Sequence, residues 1–346
     1  MKDPITYKNS GVDIDAGTEV LRRIKKLAKS THIGGSLAGI GSFGSLFNFS
    51  SLLEKYKEPV LVQSVDGVGT KLMVARMANK YDTVGHDIVN HCLNDILCQG
   101  AKGLTFLDYV ATDKLHPNQI EKLVEGLAKA CLKAGVELVG GETAELPGIY
   151  AKNEFDLVGM VTGVVEKSKI IDGSTICAGD AVLGMASAGL HTNGYTMARK
   201  IFFDKLGYSI DSHLGELGHT VGEEFLIPHK DYSTILWPLI QSHPIKGLAH
   251  ITGGGLLDNV PRILGDHLDA VISKSAWEIP PIFRILSQAS GADEDEMMRT
   301  FNMGIGMVIV IAPQKADSLA KELKDVGETV FELGLIEDGR GITRMV

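Results

Sequence analysis

The chain has no excess of basic residues and no long hydrophobic run, the features that mark nucleic-acid-binding and membrane-spanning proteins. It has 34 lysines and arginines against 43 aspartates and glutamates, which gives a formal net charge of -9. Nucleic acids and anionic membranes attract basic surfaces, so this balance argues against either as the main partner. The longest apolar runs, such as residues 307–312, have the length of a strand and are too short to cross a membrane. With 44% hydrophobic and 22% charged residues, the composition indicates a globular enzyme.

Cysteine is equally scarce. The chain has Cys92, Cys98, Cys131 and Cys177. No two of them form a C-x-x-C pair and three stand at apolar helical positions, which predicts reduced, buried thiols. His86 and His91 lie near two of the cysteines, but the spacing matches no common zinc-binding pattern. Residues 1–4 carry no apolar signal core, and we therefore expect a cytoplasmic protein.

Length and the order of the sequence patterns predict two domains. A chain of 346 residues exceeds one average domain. Strand and helix patterns alternate in both halves, which indicates an α/β to α+β architecture. Periodicity lapses in the polar turn over residues 167–179, where we place the boundary. We expect an N-terminal helix with a glycine-rich segment at 1–50, a first domain at 51–166 and a second domain at 167–346.

Hydrophobic periodicity predicts the main elements. Apolar residues at helical spacing predict an opening helix over residues 16–29, with Asp15 as its cap. We expect the next elements at 60–65 (strand), 88–97 (helix), 103–111 (strand), 120–135 (helix, ended by Gly135), 136–139 (strand), 155–165 (strand), 180–187 (strand) and 195–206 (helix).

The most informative motif is Val-Asp-Gly-Val-Gly-Thr-Lys at residues 65–71, directly after a predicted strand. Its glycines let backbone N–H groups approach a phosphate closely, Asp66 is suited to Mg²⁺, and the ammonium of Lys71 is suited to phosphate oxygens. The spacing of a P-loop, G-x-x-x-x-G-K-[ST], is absent. A magnesium-bound polyphosphate site is one interpretation, and a tight turn capped by Asp66 is the other.

Residues 33–49 form a glycine-rich segment that includes Gly39, Gly41 and Gly44. A mobile lid over a ligand and a plain flexible linker are both compatible with it. The segment also matches G-x-G-x-x-G. However, a dinucleotide-binding fingerprint follows a strand and opens a helix, whereas this match follows a helix and precedes no helical pattern. We interpret the match as accidental.

Two further acids are candidates for the same metal. On the predicted helix at 88–97, Asp95 continues a polar stripe with Asp87 and His91 at spacings of four residues. Such a stripe is usually solvated, but Asp95 would be the second carboxylate if it faces a site above the strand ends. Glu142, in the glycine loop at residues 140–148, is the third candidate.

Three loops of the second half contain the remaining candidates. Residues 187–194 include His191, whose imidazole titrates near neutral pH and suits a general acid or base. An exposed or capping histidine is the alternative. The glycine clusters at 252–255 and 302–307 are compatible with backbone binding of a substrate phosphate, or with turns beside strands.

Together these segments resemble the phosphoribosylformylglycinamidine cyclo-ligase family, also called aminoimidazole ribonucleotide synthetase. The resemblance spans nearly the whole chain, and the matching segments are Tyr7-Lys8, 11–17, 66–71, 106–109, 140–148, 164–167, 187–195, 252–255 and 301–307. The family belongs to a superfamily with selenophosphate synthetase and thiamine-monophosphate kinase. Its reaction is the ATP-dependent closure of formylglycinamidine ribonucleotide to 5-aminoimidazole ribonucleotide in purine biosynthesis, through an iminophosphate.

The resemblance also implies the roles of individual residues. As metal ligands it implies Asp66, Asp95 and Glu142, for Mg²⁺. As nucleotide-binding residues it implies Gly39, Gly41, Gly44, Gly67, Gly69, Thr70, Lys71, Asp95, Gly140, Gly141 and Glu142. As substrate-binding residues it implies His191, Thr192, Asn193, Gly254, Gly255, Asn302 and Gly304. As catalytic residues it implies His191, Lys71 and Asp66, with His191 as proton carrier. The chain departs from the family pattern at Ser42 and Thr192, which leaves the details of the lid open.

The architecture implied by the resemblance is a homodimer. The first-domain sheets of two subunits pair into a barrel-like interface that forms the active site, and the second domain is a helix-flanked sheet that binds substrate. Cysteine positions argue against two relatives: a selenophosphate synthetase would place Cys or selenocysteine near the N-terminus, and a hydrogenase-maturation dehydratase would place Cys at the C-terminus. Thiamine-monophosphate kinase fits the loop at residues 187–194 and the Tyr7 segment less well than the cyclo-ligase does. A non-catalytic nucleotide-binding subunit is disfavoured because Asp66, Lys71, Asp95, Glu142 and His191 are all present.

Overall fold

The computed structural model describes residues 5–346. Residues 1–4, on which the expected lack of a signal segment rests, lie outside that range. The first half contains α1 (Ile14–Ser30), α2 (Ser50–Leu53), β1 (Pro59–Gly67), α3 (Lys71–Met77), α4 (Asp82–Leu97), β2 (Lys102–Thr112), α5 (Pro117–Ala134), β3 (Glu137–Glu145) and β4 (Phe155–Glu166). The predicted elements of this half are all present, with β3 much longer than the four residues expected.

The first sheet has the strand order β1-β4-β2-β3, which makes β1 and β3 its two edges. Strand β4 runs antiparallel to both β1 and β2, and β2 runs parallel to β3. One face of the sheet packs on α4 and α5, and the fully buried Ile88, Phe106 and Leu123 lie in this core. The other face is open, with Leu61 and Val65 more than half exposed.

Local sequence explains where the helices of this half begin, end and cross. The cap of α1 is Asp13, whose carboxylate accepts hydrogen bonds from two backbone N–H groups, so the predicted cap at Asp15 was wrong. Gly135 ends α5 in the left-handed conformation, as expected. Helices α4 and α5 touch backbone to backbone, because a Cβ on Gly126 would lie 1.9 Å from the Asp82 carbonyl oxygen.

The second half follows a short 3₁₀ turn at Lys167–Lys169. Its elements are β5 (Ala181–Ala186), α6 (Tyr195–Arg199), β6 (His213–Leu214), β7 (His219–Thr220), α7 (Val221–Phe225), α8 (Ser233–Ser242), β8 (Ile245–His250), α9 (Gly255–Asn259), β9 (Leu268–Ile272), α10 (Pro281–Ser290), α11 (Glu294–Thr300), β10 (Ile305–Ile311), α12 (Pro313–Asp325), β11 (Val330–Asp338) and β12 (Thr343–Met345). The helix predicted at 195–206 is α6 continued by a π-helical segment at Lys200–Lys205.

Six of these strands form the second sheet, in the order β12-β9-β11-β5-β10-β8. Every residue of β10 is buried, because helices lie on both sides of the sheet. The predicted fold class, two mixed domains of which the second is a helix-flanked sheet, is therefore confirmed. The domain limits at residues 50 and 166 stay predictions.

Two predictions made from the composition concern the cysteines and membrane-spanning helices. All four cysteines are free within the described range; Cys92 and Cys131 are buried, whereas Cys177 is exposed. Among residues 5–346, none of the helices has both the length and the apolar character needed to cross a bilayer.

Candidate active site between the two sheets

Helix α4 joins the two halves through its polar side. Most of the stripe of Asp87, His91 and Asp95 is not solvated: Asp87 is fully buried and His91 is 4% exposed, whereas Asp95 is partly exposed. The amide groups of Asn90 and Asn94 donate hydrogen bonds to backbone carbonyls of the second half, at 2.7 and 2.8 Å. The polar side of α4 therefore lies in the interface between the halves, and the stripe faces the second half of the chain.

Asp66 and Asp95, called here the carboxylate pair, lie close together at the end of β1. His91 Nε2 is 2.8 Å from Asp66 Oδ2 and 3.8 Å from Asp95 Oδ2. The hydroxyl of Ser64 donates to Asp95 Oδ2 at 3.1 Å. Burial opposes ionisation, but the hydrogen bond from His91 lowers the pKa of Asp66 and that from His250 lowers the pKa of Asp95. Two ionised carboxylates beside a hydroxyl are hard oxygen ligands, which fit Mg²⁺.

A continuous chain of hydrogen bonds leaves this pair and enters the second half. His91 Nδ1 is 2.9 Å from Thr192 Oγ1, which is 3.3 Å from His229 Nδ1. His229 Nε2 is 2.8 Å from His250 Nε2, and His250 Nδ1 is 2.8 Å from Asp95 Oδ1. We call His91, Thr192, His229 and His250 the histidine bridge. It begins and ends on the carboxylate pair.

The protons of the histidine bridge follow from its two carboxylate ends. A carboxylate only accepts, so His250 donates from Nδ1 to Asp95 and accepts at Nε2 from His229. His229 Nδ1 then accepts from the Thr192 hydroxyl, and this hydroxyl accepts from His91. His91 donates from both nitrogens: burial opposes its charge, but the hydrogen bond to Asp66 raises its pKa. Burial lowers the pKa of His229 and of His250, which keeps both neutral.

His191 stands beside the bridge in a strained backbone conformation, with φ +59°. Its ring stacks on His229 at 4.1 Å between centroids, and its Nε2 accepts from the N–H of Ala188 at 3.0 Å. Nδ1 therefore carries the ring proton, and among the described residues this buried atom has no partner. Burial holds the pKa of His191 well below its usual range. His191 is thus a neutral imidazole with one unused donor.

The imidazoles of His191, His229 and His250 do not form a metal centre. Ring nitrogens of His191, His229 and His250 lie within 4.8 Å of one another. However, a metal binds in the plane of an imidazole, and the rings of His191 and His229 are stacked with only 24° between their planes. Their in-plane lone pairs therefore do not converge on one point.

The three predicted loops of the second half meet around His191. The amide of Asn302 donates to the carbonyl of Gly189 at 2.8 Å, which ties residues 302–307 to the loop at 187–194. Asn193 Oδ1 lies against Gly253, which brings the third loop to the same place, and the buried Nδ2 of Asn193 has no partner among residues 5–346. Residue 306 must be a glycine, because a Cβ there would lie 2.6 Å from the His191 ring. The structure therefore brings together the three loops that contain the predicted substrate-binding residues, whose roles stay predictions.

The position of Lys71 differs from the prediction. Its ammonium is completely buried, 2.8 Å from Asp87 Oδ2, and donates to the carbonyls of His191 and Ile227 at 3.1 and 2.7 Å. Burial lowers the pKa of Lys71, yet three acceptors surround the ammonium and stabilise its charge. With its donors used inside the protein, Lys71 does not face a phosphate in this structure. The expected triphosphate contact was wrong for this conformation.

The predicted nucleotide-binding residues fall into two separate groups. Gly39, Gly41, Gly44, Gly140, Gly141 and Glu142 line a cavity of about 680 Å³ between α1, the segment at 33–49 and β3. Gly67, Gly69 and Thr70 lie at the other edge of the sheet, where the Thr70 hydroxyl is 3.0 Å from that of Thr196. Glu142 is on β3 and Asp66 on β1, so one chain does not bring the third carboxylate to the carboxylate pair.

Sequence reasoning missed two residues of the bridge, His229 and His250. His229 sits in a loop with no motif, and its role depends on packing against α4. His250 carried a usable signal, because it ends a strand two residues before the glycine cluster at 252–255.

The chain is similar to known proteins over nearly its whole length. The family described as AIR synthase related protein matches in both parts, its N-terminal domain over residues 52–165 and its C-terminal domain over 178–346. A phosphoribosylformylglycinamidine cyclo-ligase of Geotalea uraniireducens (strain Rf4) is 49% identical over 332 residues, which cover 96% of this chain and 95% of the relative.

Two solved structures share the fold at low sequence identity. Thiamine-monophosphate kinase from Stenotrophomonas maltophilia K279a has a TM-score of 0.67 at 15% identity, covering 94% of this chain and 95% of its own. The hydrogenase maturation protein HypE, solved in complex with ATP, has a TM-score of 0.64 at 16% identity, covering 97% of this chain and 92% of its own.

Proposed function

The chain belongs to the phosphoribosylformylglycinamidine cyclo-ligase family, and we propose that two copies of it build each active site together. Its activity is the ATP-dependent cyclisation of formylglycinamidine ribonucleotide to 5-aminoimidazole ribonucleotide in purine biosynthesis. We further propose that the reaction passes through an iminophosphate and that the residues described above serve it.

The chemistry needs positioning more than a strong nucleophile. A formamide oxygen is a poor leaving group, so ATP phosphorylates it to an iminophosphate, and the amidine nitrogen of the same molecule then displaces phosphate to close the ring. Holding that nitrogen beside the carbon is worth about 7 to 11 kcal/mol. Mg²⁺ held by the carboxylate pair would neutralise charge on the transferred phosphoryl group. His191 and Asn193, which both have an unused buried donor, would bind the formylglycinamidine group.

The observation that carries the two-copy proposal is the placement of Asp66 and Glu142. Asp66 pairs across the sheet with Gly159, Gly159 with Asp108, and Asp108 with Gly141, the residue before Glu142. The two acids thus stand near one row of the sheet but at opposite edges, ~14 Å apart at three strand spacings. We infer that the carboxylate pair of one subunit meets Glu142 and the cavity beside the segment at 33–49 of its partner.

The open face of the first sheet supports a homodimer. Leu61 and Val65 are 53% and 65% exposed, and Tyr109 lies on the same face at 36%. Met160 pairs with both Val65 and Leu107, which extends the apolar surface across the sheet. An uncovered apolar sheet face is typical of an interaction surface. We infer that two such faces meet in the barrel-like interface.

One assay tests the activity, and a thermal melt checks the fold. The protein is incubated with ATP, Mg²⁺ and formylglycinamidine ribonucleotide, and aminoimidazole ribonucleotide and ADP are measured. We expect both products in equal amounts, with none when Mg²⁺ is chelated. If the folded protein makes no product but phosphorylates thiamine monophosphate in a parallel reaction, its activity would be that of a thiamine-monophosphate kinase instead.

Complementation tests the shared site. Asp66→Asn and Glu142→Gln should each abolish turnover, because each removes one predicted metal ligand. A mixture of the two, equilibrated through subunit exchange, forms mixed dimers in which one of the two sites has both native acids. About a quarter of wild-type activity should return if exchange is random. If the mixture stays inactive while tagged subunits demonstrably exchange, the acids of one site come from one chain.

A further inference from the structure

The histidine bridge is the main polar connection between the carboxylate pair and the His191 loop. Asp66, His91 and Asp95 belong to the first half, whereas Thr192, His229 and His250 belong to the second. Two of its bonds cross between the halves, from His91 to Thr192 and from His250 to Asp95. A change in the position of either carboxylate therefore also displaces hydrogen-bonded residues of the other half.

His229 is the central residue of this connection and is itself held rigidly. Its N–H donates to Asp87 Oδ1 at 2.6 Å, and its carbonyl accepts from the amide of Asn90 at 2.7 Å. The side chain is 1% exposed, and its ring covers the ring of His191. Both ring nitrogens are occupied, one by Thr192 and the other by His250. With the backbone fixed on α4, the ring can keep both neighbours at set distances.

We propose that His229 is a positioning residue, which couples the carboxylate pair to the His191–Thr192 loop through Thr192 on one side and His250 on the other. The inference rests on the proposed function, in which the carboxylate pair serves the nucleotide and the His191 loop serves the second substrate. The His229 ring is 1% exposed and both of its nitrogens are bound inside the protein, so it has no free polar atom to offer a substrate. Its effect is to align two reaction partners that different halves of the protein hold.

The two ring nitrogens of His229 can be tested separately. The amide of asparagine reaches the position of Nδ1, and that of glutamine reaches the position of Nε2. His229→Asn therefore keeps a polar group toward Thr192, and His229→Gln keeps one toward His250. His229→Phe fills the same space and stacks on His191, but it has no polar atom. A purely space-filling role would be served best by phenylalanine.

The experiment measures kcat and the KM values for ATP and formylglycinamidine ribonucleotide for the three variants of the full-length protein. We expect His229→Phe to lower kcat about 100-fold, the loss typical of a misalignment near 1 Å, with the KM for ATP changed less than threefold. His229→Asn and His229→Gln should each regain at least fivefold in kcat over phenylalanine. His243→Phe is the matched control, because His243 is a mostly buried histidine paired with Glu322 at 3.0 Å outside the bridge.

Clear outcomes overturn the proposal. A folded His229→Phe with kcat within threefold of wild type would show that His229 only fills space, and so would asparagine and glutamine variants no better than phenylalanine. If His229→Phe does not fold, Thr192→Ser and Thr192→Val replace it: serine keeps the bridging hydroxyl and should retain at least tenfold more kcat than valine. Equal values for the two would also refute the coupling. Wild-type protein that makes no aminoimidazole ribonucleotide would instead refute the proposed function.

Discussion

Lys71 and Asp87 form an ion pair in which neither side chain has any exposure to solvent. The pair joins the first turn of α3 to α4, and the same ammonium binds the carbonyls of His191 and Ile227 in the second half. The charge of Lys71 therefore holds the backbone of the His191 loop against the first half. This is a structural task, and it replaces the phosphate contact expected from the sequence.

Removal of the lysine charge should destabilise the fold strongly. Lys71→Met keeps the length of the side chain but leaves Asp87 buried without its partner, which costs about 3 to 5 kcal/mol. Urea unfolding followed by circular dichroism measures the loss. Adding Asp87→Asn should recover part of it, because the amide removes the lone charge and still accepts from the N–H of His229.

Lys167→Met is the control for this prediction. Lys167 pairs with Glu58 at the surface, where both side chains are more than 60% exposed. Its loss should cost less than about 1 kcal/mol. A cost of that small size for Lys71→Met as well would mean that the buried pair is not ionised or that water reaches it.

Part of the fold and of the candidate site could be predicted from the sequence, and part could not. Periodicity located the strands and helices, because alternation and helical spacing are local properties of the chain. The burial of Lys71 was not predictable, since it depends on which loop of the second half packs over α3. The separation of Asp66 from Glu142 depends on strand order, which local patterns do not contain. His229 is one of eleven histidines, and only the fold distinguishes it from the rest.

Removal of the His191 ring should affect turnover more than nucleotide binding. His191→Ala should lower kcat at least tenfold, because the donor at Nδ1 is lost, while the affinity for an ATP analogue stays within about threefold. Steady-state kinetics and isothermal titration calorimetry give the two quantities. His267→Ala, at an exposed position, is the control. An unchanged kcat would make His191 a packing residue only.

Two glycines of the segment at 33–49 should respond differently to the same substitution. Gly41 has φ +109°, where an L-residue is strained, and a Cβ would touch the Lys25 side chain at 3.4 Å. Gly39 has no such conformation and open space around its Cβ position. Gly41→Ala should therefore raise the KM for ATP about five- to tenfold, from a strain of roughly 1 kcal/mol, whereas Gly39→Ala should not. Equal KM values would argue against a lid whose shape matters.

Asp108 should make the stability of the unliganded protein depend on pH. Burial raises its pKa from 3.8 to about 7. The folded state therefore binds a proton more tightly than the unfolded chain between these values, so stability falls as the pH rises from about 4 through 7 and stays reduced above. Asp108→Asn removes the burial of charge. Its stability gain over wild type should be larger at pH 8 than at pH 5 by at least about 1 kcal/mol.

Urea unfolding of both proteins at the two pH values tests this, with Asp204→Asn at an exposed position as the control for a general change in charge. The control should shift stability equally at both pH values. If Asp108→Asn behaves like the control, the carboxyl is ionised in the folded protein at pH 5 as it is in the unfolded chain. Asp108, which lines the cavity beside the segment at 33–49, would then offer an ordinary carboxylate to a ligand, rather than one that is protonated near neutral pH.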